Sequence, residues 1–116
     1  MDTPQDLIKQ AYQAFNARDI PAVLATFHPQ VRWSRAWEGG YATGQDEVRD
    51  YWQRQWQEID AYVEPTNVRE LPDGRLEVSV HQVVKDKHGA LVFEGPVKHL
   101  YTLKDGLLQQ MDIEPG

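Results

Sequence analysis

From Leu76 onward the chain alternates apolar and polar residues in three runs separated by short turn signatures. Leu76–Lys85 alternates and the DKHG stretch (Asp86–Gly89) turns. Ala90–Leu103 alternates again, the KDG stretch (Lys104–Gly106) turns, and Leu107–Glu114 closes the series. A period of two is that of a strand, and glycine beside aspartate suits a tight hairpin turn. An earlier run, Val63–Leu71, precedes the turn at Pro72–Gly74; Pro65 inside it cannot donate to a ladder, so this run reads as an edge strand or one that starts late. The second half is therefore expected to be an antiparallel meander of four strands. Gly95 and Pro96 interrupt its longest run and mark the crease where the sheet curls. A curled sheet has a concave side, and helices laid across it enclose a cavity suited to a small molecule.

The first half supplies those helices. Thr3 can cap, Pro4 suits a first helical position, and Leu7, Ile8, Ala11, Tyr12 and Phe15 recur at helical spacing. This helix should end near Asn16–Asp19. Asp19 caps a short second helix carrying Ile20, Val23, Leu24 and Phe27, which His28–Pro29 stops. Val31–Glu38 then alternates as a strand before a Gly39–Gly40 turn. A third helix is expected from Gln45 to near Asp60, with its stripe at Val48, Tyr51, Trp52, Gln55, Trp56 and Ile59. The order α-α-β-α-β-β-β-β is α+β, and 116 residues suit one domain over 1–116.

Bulk properties exclude several functions. With no cysteine there is no disulfide framework, thiolate zinc site or cysteine nucleophile. A net charge of −6 disfavours nucleic acid and an anionic membrane surface. No signal peptide and no stretch long enough to span a bilayer is expected, so the expected location is cytoplasmic. No His and acid spacing has metal specificity, so neither a metal nor a cofactor is expected.

Face assignments follow from the hairpins. If Lys85 opposes Ala90, then Glu77 faces Lys98, His81 faces Glu94 and Val83 faces Val92. On the other side Val78 meets Val97, Gln82 meets Phe93 and Val84 meets Leu91. The KDG hairpin sets Met111 opposite Leu100 and Ile113 opposite Lys98. Both faces carry apolar groups, so one should contact helices and the other a second subunit; a homodimer is expected. In the first strand Val31, Trp33, Arg35 and Trp37 share one side. An arginine among tryptophans suits a strand lining a ligand cavity; the structural alternative is that Arg35 pairs with a nearby acid.

The stretches NARDIPAVLATFHPQVRW (Asn16–Trp33), GQDEVRDYW (Gly44–Trp52) and HLYTLKDGLL (His99–Leu108) resemble the SnoaL-like branch of the nuclear transport factor 2-like proteins, which include the ketosteroid isomerases. The resemblance implies a curved antiparallel sheet wrapped around helices, a cone with an internal pocket (a cystatin-like α+β barrel), and dimers through the convex sheet face. It places His81, Glu94, Lys98, Leu100, Met111 and Ile113 on the pocket side, with Trp33 and Arg35 joining from the first strand. The valine-rich face becomes the dimer side, and His99 falls there as a structural histidine. A steroid isomerase needs an aspartate base where Arg35 stands, a protonated aspartic acid where Lys98 stands, and a tyrosine where Ala11 stands, with Tyr12 adjacent. Standard ketosteroid isomerase activity is therefore not expected.

Two acids replaced by cations, Arg35 and Lys98, would favour an anionic group. Tyr12, Phe15, Trp33 and Trp37 would supply flat walls. His81 could act as a base oriented by Glu94; the structural alternatives are a cross-strand His81–Glu94 pair and a Glu77–Lys98 pair that satisfies the lysine. The expected ligand is a small hydrophobic or weakly anionic molecule. Two functions fit these residues. One is an isomerase-, cyclase- or lyase-like enzyme that transfers a proton on a small carbonyl or acid compound. The other is a non-catalytic ligand-binding or dimeric assembly module.

Overall fold

The computed structural model describes residues 3–35 and 38–115. Three helices, α1 (Pro4–Asn16), α2 (Ile20–Leu24) and α3 (Gln45–Glu58), accompany six strands: β1 (Phe27–Ser34), β2 (Tyr41–Thr43), β3 (Ile59–Glu70), β4 (Leu76–Asp86), β5 (Leu91–Lys104) and β6 (Leu107–Pro115). The strands form one curved sheet in the order β2-β1-β6-β5-β4-β3. All neighbours are antiparallel except β1 and β6, which run parallel. The architecture is the expected α+β arrangement. At the level of the strand order, β2 and the entry of β1 into the sheet beside β6 are additions to the sequence reading.

The helices start where their caps put them. The Thr3 hydroxyl accepts from the Asp6 amide at 3.1 Å, and the Asp6 carboxylate accepts from the Thr3 amide at 3.2 Å, which satisfies two amides that a helix start leaves unpaired. Asp19 caps α2 through the Ala22 amide at 3.3 Å. Gly44, at φ 84°, occupies the cap position of α3, with Asp46 and Glu47 in the first turn, at the positive end of the helix dipole. β1 begins at Phe27, earlier than the alternation suggested, so His28 and Pro29 lie inside a strand rather than at a helix end.

The hairpins explain which residues share a face. In β4–β5 the turn is one residue longer than expected, giving Lys85 opposite Leu91, and a bulge at Val92 adds a second residue. The two together slide the pairing by two positions, so His81 opposes Pro96 and Val83 opposes Glu94, while the sets of residues sharing a face survive. In β5–β6 the turn is as expected: Lys104 opposes Leu107 across Asp105 and Gly106, both at positive φ. A bulge at Gln109 then shifts the register by one, so Met111 opposes Tyr101 and Ile113 opposes His99. That single residue moves Met111 and Ile113 onto the face opposite Leu100 and Lys98.

The inward direction is the larger correction. Leu76, Val78, Val80 and Val84 are each no more than 2% exposed and pack with Ile8, Tyr12, Phe15 and Trp52 in one core. Each such aliphatic side chain stabilises by about 1.5–3 kcal/mol when buried. The valine-rich face is therefore the one that meets α1 and α3, not a dimer side. The face with His81, Glu94, Lys98 and Leu100 is turned outward.

β3 lies at one edge of the sheet, the first of the two readings that Pro65 leaves open, with a bulge at Thr66. β5 runs unbroken through Gly95 and Pro96. β6 pairs with β5 only as far as Val97, so at Pro96 the ladder has one side without a partner strand among the described residues, where a missing amide costs least.

Candidate functional site

Between the concave side of the sheet and helices α1 and α3 lies a cavity of about 630 Å³. Trp33 from β1, Phe15 from α1 and Trp52 from α3 form its aromatic wall. Trp33 and Trp52 meet edge to face at 5.3 Å between ring centres, and Phe15 meets Trp52 likewise at 5.5 Å, a favoured arrangement for such rings. Ala61, Val63, Val97 and Met111 supply aliphatic surface. Phe93 and Ile113, 36% and 38% exposed, also line it and mark its mouth. The Phe93 ring lies over Gly95, where an added Cβ would sit 3.4 Å from its Cζ. The described lining contains no Asp, Glu, Lys or Arg.

The polar groups of the cavity are few. Ser34 and Gln82 reach it from β1 and β4; Gln55 does so from α3, where its amide donates to the Tyr51 hydroxyl at 3.0 Å. The remaining ones are that Tyr51 hydroxyl, since Tyr51 also lines the cavity, and His99, only 5% exposed. The Nδ1 of His99 lies 2.5 Å from the Tyr12 hydroxyl, and the Tyr12 and Tyr101 hydroxyls are hydrogen-bonded at 3.0 Å. Burial drives the His99 pKa down to about 4, so the imidazole is neutral at ordinary pH. Burial also raises both tyrosines, keeping their hydroxyls protonated.

The expected site residues separate into three groups. Phe15, Trp33, Met111 and Ile113 line the cavity. Tyr12 does not line it but holds His99 from behind. The others lie elsewhere. His81 Nε2 is 3.0 Å from a Glu94 carboxylate oxygen, but both side chains are on the outer face, 43% and 48% exposed. Lys98 is on that face too, 3.9 Å from Glu77, whose nearer partner is Arg69 at 3.1 Å. Leu100 is buried among outer-face neighbours, outside the core cluster. Arg35 sits past the end of β1 and clamps its own turn: Nε donates to the Gly39 carbonyl at 3.1 Å and the backbone amide to that of Gly40 at 3.0 Å. Trp37 lies outside the described residues. The expected anion site of Arg35 with Lys98 is thus corrected, because the strand ends before Arg35 and Lys98 faces away from the helices.

Sequence reasoning assigned His99 to the wrong side and left Gln82, Phe93 and Val97 out of the site. A signal for them was present. Val78, Val80 and Val84 form the more continuous apolar face of β4, and Phe93, Val97, His99 and Tyr101 share that face on β5. Among the described residues no three of His, Cys, Asp or Glu gather as metal ligands, and no helix is long and apolar enough to cross a membrane.

Solved structures share this fold over almost the whole chain. A nuclear transport factor 2-like protein of unknown function from Burkholderia pseudomallei is 24% identical, covering 100% of this chain and 92% of that one, with a TM-score of 0.85. TerC, co-crystallised with polyporic acid, is 22% identical, with 97% and 90% covered and a TM-score of 0.83. A protein proposed to be a polyketide cyclase, from Sinorhizobium meliloti, is 21% identical, with 98% and 97% covered and a TM-score of 0.78. No curated protein matches the sequence. The sequence model of the SnoaL-like domain matches residues 8–111, and the chain belongs to that family.

Proposed function

We propose that the protein binds a flat, largely apolar and uncharged small molecule in the cavity between sheet and helices. The observation that carries this reading is the lining itself: Phe15, Trp33, Trp52 and Phe93 offer ring surfaces, and the described lining holds no ionised side chain. A buried charge would need a partner there, so a carboxylate ligand is disfavoured. The volume suits a molecule of several fused or linked rings. The co-crystallisation of TerC with polyporic acid supports a ring compound as the class of ligand.

The test is a titration followed by tryptophan fluorescence and thermal shift. Fluorene should bind saturably and raise the melting temperature, as any ligand specific to the native state does. Fluorene-9-carboxylate should bind at least about tenfold more weakly, the cost of placing its charge in a lining without a counter-ion. Absence of saturable fluorene binding, or a preference for the carboxylate, overturns the reading.

A second reading is a cyclase- or isomerase-type activity, favoured by the description of fold relatives as proposed polyketide cyclases. It requires a proton acceptor in contact with the ligand. His81, the expected base, is on the outer face. Turnover of a ring-closing polyketide substrate that survives His81→Ala and is lost in His99→Leu would support catalysis within the cavity.

A further inference from the structure

We infer that His99 is the specificity-determining donor of the cavity: its Nε2–H selects a ligand with a carbonyl or other acceptor oxygen, and Tyr12 and Tyr101 are positioning residues that fix this tautomer. The inference rests on the cavity being the ligand site.

The argument is a count of protons along three buried groups. Tyr101, Tyr12 and His99 are joined by hydrogen bonds of 3.0 Å and 2.5 Å. The chain can run in either direction. If it starts at Tyr101, the Tyr101 hydroxyl donates to the Tyr12 oxygen and the Tyr12 hydroxyl donates to Nδ1. Both hydroxyl protons are then used, and the imidazole proton must sit on Nε2. If it starts at His99, Nδ1–H donates to Tyr12, Tyr12 donates to Tyr101, and the Tyr101 proton has no acceptor among the described residues. Tyr101 is only 1% exposed, so water does not supply one. Each direction thus leaves one donor without a protein partner, Nε2–H in the first and the Tyr101 hydroxyl in the second. But Nε2 is not fully enclosed and His99 lines the cavity, where water or a ligand oxygen can accept, whereas the Tyr101 hydroxyl is walled in and would bear the full cost of an unpaired donor. The first direction is favoured.

That direction has a chemical consequence. With Nδ1 occupied as an acceptor, Nε2 carries a hydrogen and cannot take a proton from a ligand. His99 is then a donor and not a base. Among the described residues nothing accepts from Nε2, and His99 lines the cavity. A ligand oxygen is the group that would complete it. A neutral donor in an uncharged lining favours a carbonyl over a carboxylate, and it disfavours a ring system with no acceptor, which would leave the N–H unpaired. The low pKa of His99 agrees, since the imidazole stays neutral without a ligand.

Two measurements test this. Nitrogen-15 spectra of the unliganded protein should show His99 as the Nε2–H tautomer, and finding Nδ1–H would overturn the inference. Fluorene and 9-fluorenone differ by one carbonyl and have nearly the same shape. The ketone should bind about threefold to tenfold more tightly, the usual worth of one neutral hydrogen bond. His99→Leu should bring the ratio to about one while fluorene binding is kept, since one donor is then missing. Tyr12→Phe should yield a mixture of tautomers and a reduced ratio; a merely structural Tyr12 would change neither. Equal binding of the two probes by the unaltered protein sinks the donor role alone. Failure of both probes to bind sinks the cavity reading and the donor role with it.

Discussion

His81 and His99 lie on adjacent strands of one sheet, and their surroundings have little in common. His81 faces outward on β4, beside a carboxylate 3.0 Å away, with 43% of its side chain exposed. His99 faces inward on β5, almost wholly enclosed, and its partner is the neutral Tyr12 hydroxyl, which is itself bonded to that of Tyr101. The textual signal favoured His81, because histidine near glutamate looks like a base with its orienter. Enclosure favours His99, because a polar group matters most where water cannot compete for it. The lesson is that an attractive residue pair identifies chemistry only after the direction of the sheet is known.

The contrast between the two faces can be broken most strongly at its aromatic wall. Trp52→Ala should cost about 3–5 kcal/mol in urea denaturation, the usual loss for a buried large ring, whereas His81→Ala on the outer face should stay within about 0.5 kcal/mol. Near-equal losses would mean that the inner face is not the core.

Acidity offers the next test. The unfolded imidazole takes a proton near its ordinary 6.5, but the folded His99 does so only near 4. Between those values the unfolded state binds more protons, so stability is intact above pH 6.5 and declines as pH falls toward 4. The loss should be on the order of 3 kcal/mol. His99→Gln should remove that part of the decline, and His81→Gln should leave it in place. Smaller again, Tyr12→Phe should cost about 1–2 kcal/mol by leaving Nδ1 without its donor. The smallest effect belongs to the outer pair. A double-mutant cycle on His81 and Glu94 should give about 0.2–1 kcal/mol, declining with added salt.

Much of the fold was readable because local chemistry dictates it. Thr3, Asp19 and Gly44 announce their helices, and the Asp105–Gly106 turn sits where a positive φ is needed twice. Pro65 points to an edge strand or a late start, since it cannot donate to a ladder, and the strand order gives the edge. The site was less legible, since its membership depends on single residues that alternation does not reveal. The extra residue at Gln109 moved Met111 and Ile113 from one face to the other, and the longer β4–β5 turn together with the bulge at Val92 slid His81 away from a directly opposed Glu94. Arg35 looked like a wall residue because the alternation continues through Trp37, yet the strand ends at Ser34. The partnership of β1 with β6 depends on residues far apart in sequence, for which a single chain carries no local mark.

That partnership bears on how the molecule assembles during synthesis. Trp33 pairs with Met111 across the parallel β1–β6 seam, and β6 is itself held by β5. A nascent chain that has produced the first helices, β1 and β2 therefore has no sheet for them to join until the final strand emerges. Such distant pairings make for slow maturation and leave tryptophan-rich surface uncovered meanwhile. Crowded or fast expression should accordingly favour clumping of half-made chains, and cooler, slower production should relieve it.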